Sequence, residues 1–95
     1  MRRHELKVWP EFFQDLYDDR KRVELRKDDR GFEVGDILLL REWDPNTGEY
    51  TGSFCTRKVT HILRGGPWLA DGYCAMSIRD VTGKDLRAYD DSVSG

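Results

Sequence analysis

The chain has 95 residues, 38% hydrophobic and 36% charged, with 18 acidic against 16 basic side chains for a net charge of −2. That length supports one domain burying ~60–70% of its unfolded surface without staples, and three Trp, four Tyr and four Phe exclude a disordered chain. No apolar run approaches the ~18 residues of a membrane span, no apolar stretch follows Arg2 and Arg3, and the acidic balance excludes coating of nucleic acid by bulk charge.

In chain order, His4-Glu5-Leu6-Lys7-Val8-Trp9 alternates polar and apolar and reads as a first strand. Pro10 suits a first helical turn. Glu11 to Asp19 follows as a helix, with Trp9, Phe12, Phe13 and Leu16 along one core stripe. Glu11 opens that helix and Arg20 and Lys21 follow its end, as the helix dipole favours. Lys21 to Lys27 reads as a strand. Asp28-Asp29-Arg30-Gly31 and Gly35-Asp36 read as turns, capped by Asp29 and Asp36, with Arg30 pairing locally. The apolar run from Ile37 to Trp43 is expected to be a strand buried on both faces.

Asp44-Pro45-Asn46-Thr47-Gly48 is a hairpin loop. Tyr50 to Leu63 is a long strand, broken near Thr51-Gly52-Ser53, with Cys55, Val59, His61 and Leu63 on one side. Arg64-Gly65-Gly66-Pro67 ends it, and Trp68 to Gly72 leads to a last strand, Tyr73 to Arg79, where Cys74, Met76 and Ile78 face one way. Residues 1–82 are expected to form the domain and 83–95 a polar, frayed tail. One helix followed by four or five strands is an α+β chain and points to a small mixed barrel.

Cys55 and Cys74 have neither a near partner nor metal spacing and read as small buried hydrophobes of a cytoplasmic protein. His4, Glu5 and His61 form no metal spacing, so neither a metal nor another cofactor is expected.

The charge is unevenly placed. Between Arg20 and Arg30 stand six basic residues (Arg20, Lys21, Arg22, Arg26, Lys27, Arg30) against three acidic ones (Glu24, Asp28, Asp29), a cationic island on an acidic background. Localised charge of one sign marks a place for an anionic partner.

These residues carry a resemblance. The spacing of Lys21, Glu24 and Arg26 resembles the Gly-x-Lys-x-x-Glu-x-Arg signature of ASCH domains in the PUA-like superfamily, with Asp19 where that family prefers Gly. A small bacterial and phage branch is more similar still. It shares His4-Glu5-Leu6-Lys7, Glu24, Arg26, Asp29-Arg30, Phe32, Gly35-Asp36, Leu38, Leu40, Thr51-Gly52 and Gly72-Tyr73, over residues 4 to about 80. The resemblance implies a PUA-like mixed β-barrel of five or six strands, with the helix across one end and a cleft beside the signature strand. It implies binding of RNA or of a modified nucleoside. One branch of the family hydrolyses an acylated cytidine with a Lys-Thr-Glu group. Here Glu24 stands in place of that Thr, and the segment carrying that acid is shortened to Arg64–Asp71.

Strand alternation puts Arg22, Glu24 and Arg26 on one face and Lys21, Val23 and Leu25 on the other, unless a bend turns Lys21 toward Glu24. In a module binding RNA or a nucleotide-like ligand, Lys21, Arg22, Arg26 and Lys7 would contact phosphate, and Glu24 a base edge. Trp68, in its Gly-Pro loop, would stack a base, while Trp9 and Trp43 read as core. His4 could meet base or phosphate, with Arg30 a further cation of the island. Two other functions stay open: a small hydrolase of a modified nucleoside, with Lys21 and Glu24 as its proton-transfer pair, and a protein-interaction module. Against all three stands a solvated face of ion pairs, each contributing roughly 0–1 kcal/mol.

Overall fold

Leu6 and Val8, Leu38 and Leu40, Cys55 and Val59, and Cys74, Met76 and Ile78 fall on alternate positions of four extended segments. All of them are buried together in one core. The computed structural model describes residues 2–85. Its elements are β1 (Arg3–Val8), α1 (Pro10–Tyr17), β2 (Val23–Lys27), β3 (Ile37–Asp44), β4 (Glu49–Arg64) and β5 (Tyr73–Asp80), and the five strands make one curled sheet in the order β1-β3-β4-β5-β2. Every neighbouring pair is antiparallel except β1 with β3, which are parallel. A parallel pair needs a long crossover, and α1 with β2 lies within it. The two strands closest to the N-terminus therefore end up as opposite edges of the sheet.

β4 departs from the expected alternation. It runs unbroken through Gly52, whose positive φ of 98° falls where the register with β3 shifts. A second bulge separates Val59, opposite Ile78, from His61, opposite Ser77. The extra residue, Thr60, reverses the parity of everything after it. Cys55, Arg57 and Val59 point inward before the bulge and Ile62 after it, while His61 and Leu63 are exposed.

α1 begins with Pro10 in its first turn and buries Phe13 and Leu16. It ends in a Schellman motif: the Asp19 amide donates to the Leu16 carbonyl (3.1 Å) and the Arg20 amide to that of Asp15 (2.9 Å). Asp19 takes the left-handed position at φ 61°, which explains a glycine preference there. The helix end is held by Arg57, a buried arginine of β4 whose Nη2 donates to the Leu16 carbonyl at 2.6 Å.

The ordered unit reaches past residue 82. Thr82 and Asp85 cap one another, the Thr82 amide donating to Asp85 at 2.9 Å and the Asp85 amide to the Thr82 hydroxyl at 3.2 Å. Asp85 also receives Arg79 (2.9 Å) and Lys58 (3.1 Å). Arg79 first, then the Thr82 amide and Lys58, hold its carboxyl well below the usual carboxylate range. The expectation of a frayed tail from residue 86 onward lies outside the described residues. Among the described residues, no helix is long and apolar enough to cross a membrane.

Candidate functional site: the seam between the sheet edges

Backbone direction decides what the two edges present. The Ile37 amide donates to the Arg2 carbonyl, so the even residues of β1 face β3, and Glu5 and Lys7 turn their amides and carbonyls outward. On β2, the Ile78 amide donates to Arg22 and the Asp28 amide to Gly72, so even residues pair with β5 and Val23 and Leu25 turn outward. The two unpaired rows border one seam, and long cationic side chains bridge it. Arg26 donates from Nη2 to the Lys7 carbonyl at 2.8 Å, and Arg30 from Nη1 to the Glu5 carbonyl at 2.8 Å. Lys21 donates to the Val23 carbonyl. Side chains, not backbone pairs, thus join the two edges.

Beside the Arg26 bridge is a hollow of about 490 Å³, lined by Lys7, Val8, Trp9, Phe12, Lys21, Glu24, Leu25 and Arg26. Glu24, 4% exposed, is the buried centre of its charged wall. Lys21 Nζ donates to Glu24 Oε1 at 2.6 Å and Arg26 Nε to Oε2 at 2.7 Å. The bend that brings Lys21 round is the helix exit: the left-handed Asp19 is followed by the Lys21 amide donating to Asp15 at 2.9 Å. Two cations around one carboxylate leave a net charge of +1. The ammonium keeps one unused N–H and the guanidinium three. The acid sits between the cations and fixes their direction, and the space beside them stays open.

The other wall is aromatic. Trp9 and Phe12 are each 49% exposed, a large apolar area for a chain this small to leave in water. This corrects the core assignment of Trp9. The stripe in Trp9-Pro10-Glu11-Phe12-Phe13-Gln14-Asp15-Leu16 is two adjacent stripes, Phe13 with Leu16 entering the core and Trp9 with Phe12 lining the hollow. Doubled Phe residues were the available signal.

Of the predicted site residues, Lys21, Glu24, Arg26 and Lys7 converge on this hollow. Four others do not. His4 is buried, its Nε2 2.8 Å from Asp36 Oδ2 and its ring edge-on to Phe32, because an even residue of β1 points into the sheet. Asp36 also accepts the amides of Glu33 and Arg2, so it caps its turn and ties β1 down as well. Burial pushes the Asp36 carboxyl up, but the His4 contact and those two amides outweigh it and leave it below its ordinary value. Arg22 precedes the strand and pairs on the surface with Asp19 at 3.3 Å. Arg30 spends its guanidinium on the β1 edge instead of a local acid. Trp68 is 80% exposed but lies in the β4–β5 loop and is not part of the hollow. Trp43 is half-buried beneath the Lys7 ammonium, not in the core.

Among the described residues no cluster of His, Cys, Asp and Glu could hold a metal ion.

Residues 3–78 match the family described as Domain of unknown function (DUF3850). The chain belongs to that family. The matched segment contains both edge strands of the seam and every residue lining the hollow. A relative described as "Uncharacterized 12.9 kDa protein in GpA 3′region", from Escherichia phage P2, is 37% identical over 68 residues, covering 72% of this chain. The aligned stretch spans 61% of that relative's length.

Proposed function

We propose that this DUF3850 domain is an ASCH/PUA-like binding module of the cytoplasm. Its seam hollow takes a nucleotide unit, most simply one belonging to RNA. The supporting observation is the convergence of Lys21 and Arg26, oriented by the buried Glu24, with the exposed Trp9 and Phe12 around one open space of about 490 Å³. Ligand pockets span roughly 300–1,000 Å³, and this one has the size and polarity for a base with its sugar phosphate. The unused N–H groups of Arg26 and Lys21 face a phosphate with a net charge of +1, and a planar base on Trp9 or Phe12 would gain ~1–3 kcal/mol from stacking. The outward amide and carbonyl of Leu25 offer a donor–acceptor pair to a base edge, since an unpaired strand edge presents both. Glu24 is assigned a positioning role, because both its oxygens are occupied by the cations it aligns.

The curled five-stranded sheet, and α1 linking its two edges, support the PUA-like assignment. The free, buried Cys55 and Cys74 suit a reducing compartment. The deciding experiment is a titration with nucleoside monophosphates and short single-stranded RNA: Arg26→Ala should weaken binding by ~1–3 kcal/mol. Unchanged affinity removes the site.

One observation favours a hydrolytic reading, the 2.6 Å contact that joins Lys21 to Glu24. In that contact the ammonium is the donor, and it donates to the Val23 carbonyl as well, so binding is preferred over proton abstraction. Product formation from acylated cytidines, abolished by Lys21→Ala, would reverse that preference.

A further inference from the structure

We propose that Arg41, Trp43 and Tyr50, linked to the hollow through Lys7, form a second nucleotide subsite, so that the ligand is a single-stranded polynucleotide and not a free nucleotide. The inference rests on the binding reading above and names its ligand class.

Lys7 belongs to both places. Its carbonyl accepts the Arg26 bridge at 2.8 Å and so forms part of the seam, while its ammonium lies 4.6 Å from the Trp43 ring centroid and 6.0 Å from that of Tyr50. Sheet register builds the rest. Lys7 is opposite Arg41 on β3, and Trp43 is opposite Tyr50 on β4. The Arg41 guanidinium carbon lies 3.7 Å from the Tyr50 ring centroid. The result is a patch of two aromatic rings and two cations outside the core cluster, beginning where the hollow ends.

The nearby acids pair with only one of the two cations. Glu5 pairs with Arg41 at 3.5 Å, a partly exposed contact of the kind that contributes little, while Glu42 accepts the Thr51 hydroxyl at 2.7 Å and Asp44 the Asn46 amide at 2.8 Å. Glu49 is exposed and, like Glu42, pairs with neither cation within ion-pair distance among the described residues. Lys7 has no carboxylate partner at all among the described residues. A purely structural ion-pair surface would satisfy its cations with these acids. Here Lys7 rests on Trp43 without a carboxylate, and Arg41 divides its guanidinium between Glu5 and the Tyr50 face, so that both keep spare donors. Aromatic faces beside cations with spare donors are what single-stranded nucleic acids use, each base stacking on a ring or guanidinium plane and each phosphate meeting a cation. Lys7, between the two places, is positioned for the phosphodiester that joins a nucleotide in the seam to its neighbour on Tyr50 and Arg41.

The test compares two probes, the four nucleoside 5′-monophosphates and a mixed-sequence single-stranded RNA octamer, against wild type and four variants at one salt concentration. The octamer should bind at least ~10-fold tighter than the best mononucleotide. Tyr50→Ala and Arg41→Ala should lower octamer affinity ~5–50-fold and leave mononucleotide affinity unchanged, whereas Arg26→Ala lowers both. Arg41→Lys retains charge without the planar guanidinium and guards against a folding artefact; it should lose most of the octamer gain. Equal affinities for octamer and mononucleotide, or octamer binding indifferent to Tyr50→Ala and both Arg41 variants, overturn the second subsite while sparing the hollow. Octamer binding that responds to Arg41→Ala but not to Arg26→Ala keeps the outer patch and overturns the hollow. Failure of both probes to bind overturns both.

Discussion

Glu24→Gln separates a positioning role from a simple electrostatic one. The carboxylate is buried, and its two cations remain partly in water, Lys21 at 31% and Arg26 at 26% side-chain exposure. Each pair at contact distance is worth ~4 kcal/mol of attraction at an effective dielectric near 20, before desolvation is subtracted. Removing one partner of a fully buried pair costs about 3–5 kcal/mol, and of an exposed pair about 0–1 kcal/mol. With cations that can recover much of their hydration, the expected cost is about 1–2 kcal/mol. For a domain of this size each kcal/mol moves Tm by roughly 4–8 °C, so thermal unfolding followed by circular dichroism should fall by about 4–16 °C. The amide makes matters worse locally, because its NH₂ group must face one of the two cations.

The affinity measurement carries the sharper contrast. Deleting a negative charge beside an anion site should tighten nucleotide binding if Glu24 acts only through its field. If Glu24 aims the cations, binding weakens although the site has become more positive. Tighter binding of a mononucleotide by Glu24→Gln, with Tm unchanged, would refute the positioning argument.

Asp36 stabilises the fold through a carboxylate held below its unfolded value of 3.8. Its contribution is therefore intact above that value and lost as pH falls through the lower folded value. Asp36→Asn should flatten the Tm-versus-pH profile below about pH 4, with the residual slope due to groups such as Asp85; an unaltered profile contradicts the assignment. Asp19→Gly should raise stability by about 0.5–1 kcal/mol, since the left-handed position then costs no strain and the lost surface pair with Arg22 is worth little; a lower Tm would contradict this. Burial pushes both the Cys55 and Cys74 thiols up, so a colorimetric thiol reagent at pH 8 should label neither until denaturant unfolds the protein. Rapid labelling of either in buffer would show that the core opens there.

Much of this architecture was legible in the chain because local signals agreed with one another. Alternation in His4–Val8 and Tyr73–Arg79, and turn chemistry at Asp44–Gly48, place strands within a residue or two of where they lie. The link from Lys21 to Glu24 was legible as an option, since only the left-handed helix exit at Asp19 decides it. Other features depend on facts that no local pattern contains. The bulge at Thr60 reverses His61 and Leu63 because β4 carries one residue more than β5 across that stretch, a mismatch visible only when the strands are paired. Alternation does set His4 on the face of Leu6 and Val8, but its partner Asp36 is brought to it only by the pairing of β1 with β3. The half-exposed Trp9 and Phe12 were hidden by a core stripe that Phe13 and Leu16 alone suffice to make. The seam itself follows from strand order, in which the first two strands of the chain become opposite edges.

A titration monitored by amide and indole NMR shifts is the most direct trial of the seam as a binding site. Nucleotide binding between the two edges requires saturable shifts at the Lys7 and Leu25 amides and the Trp9 indole N–H, all sharing one affinity that Arg26→Ala weakens. Shifts confined to other surfaces, or none at millimolar ligand, would show that the hollow is not where this domain meets a nucleotide.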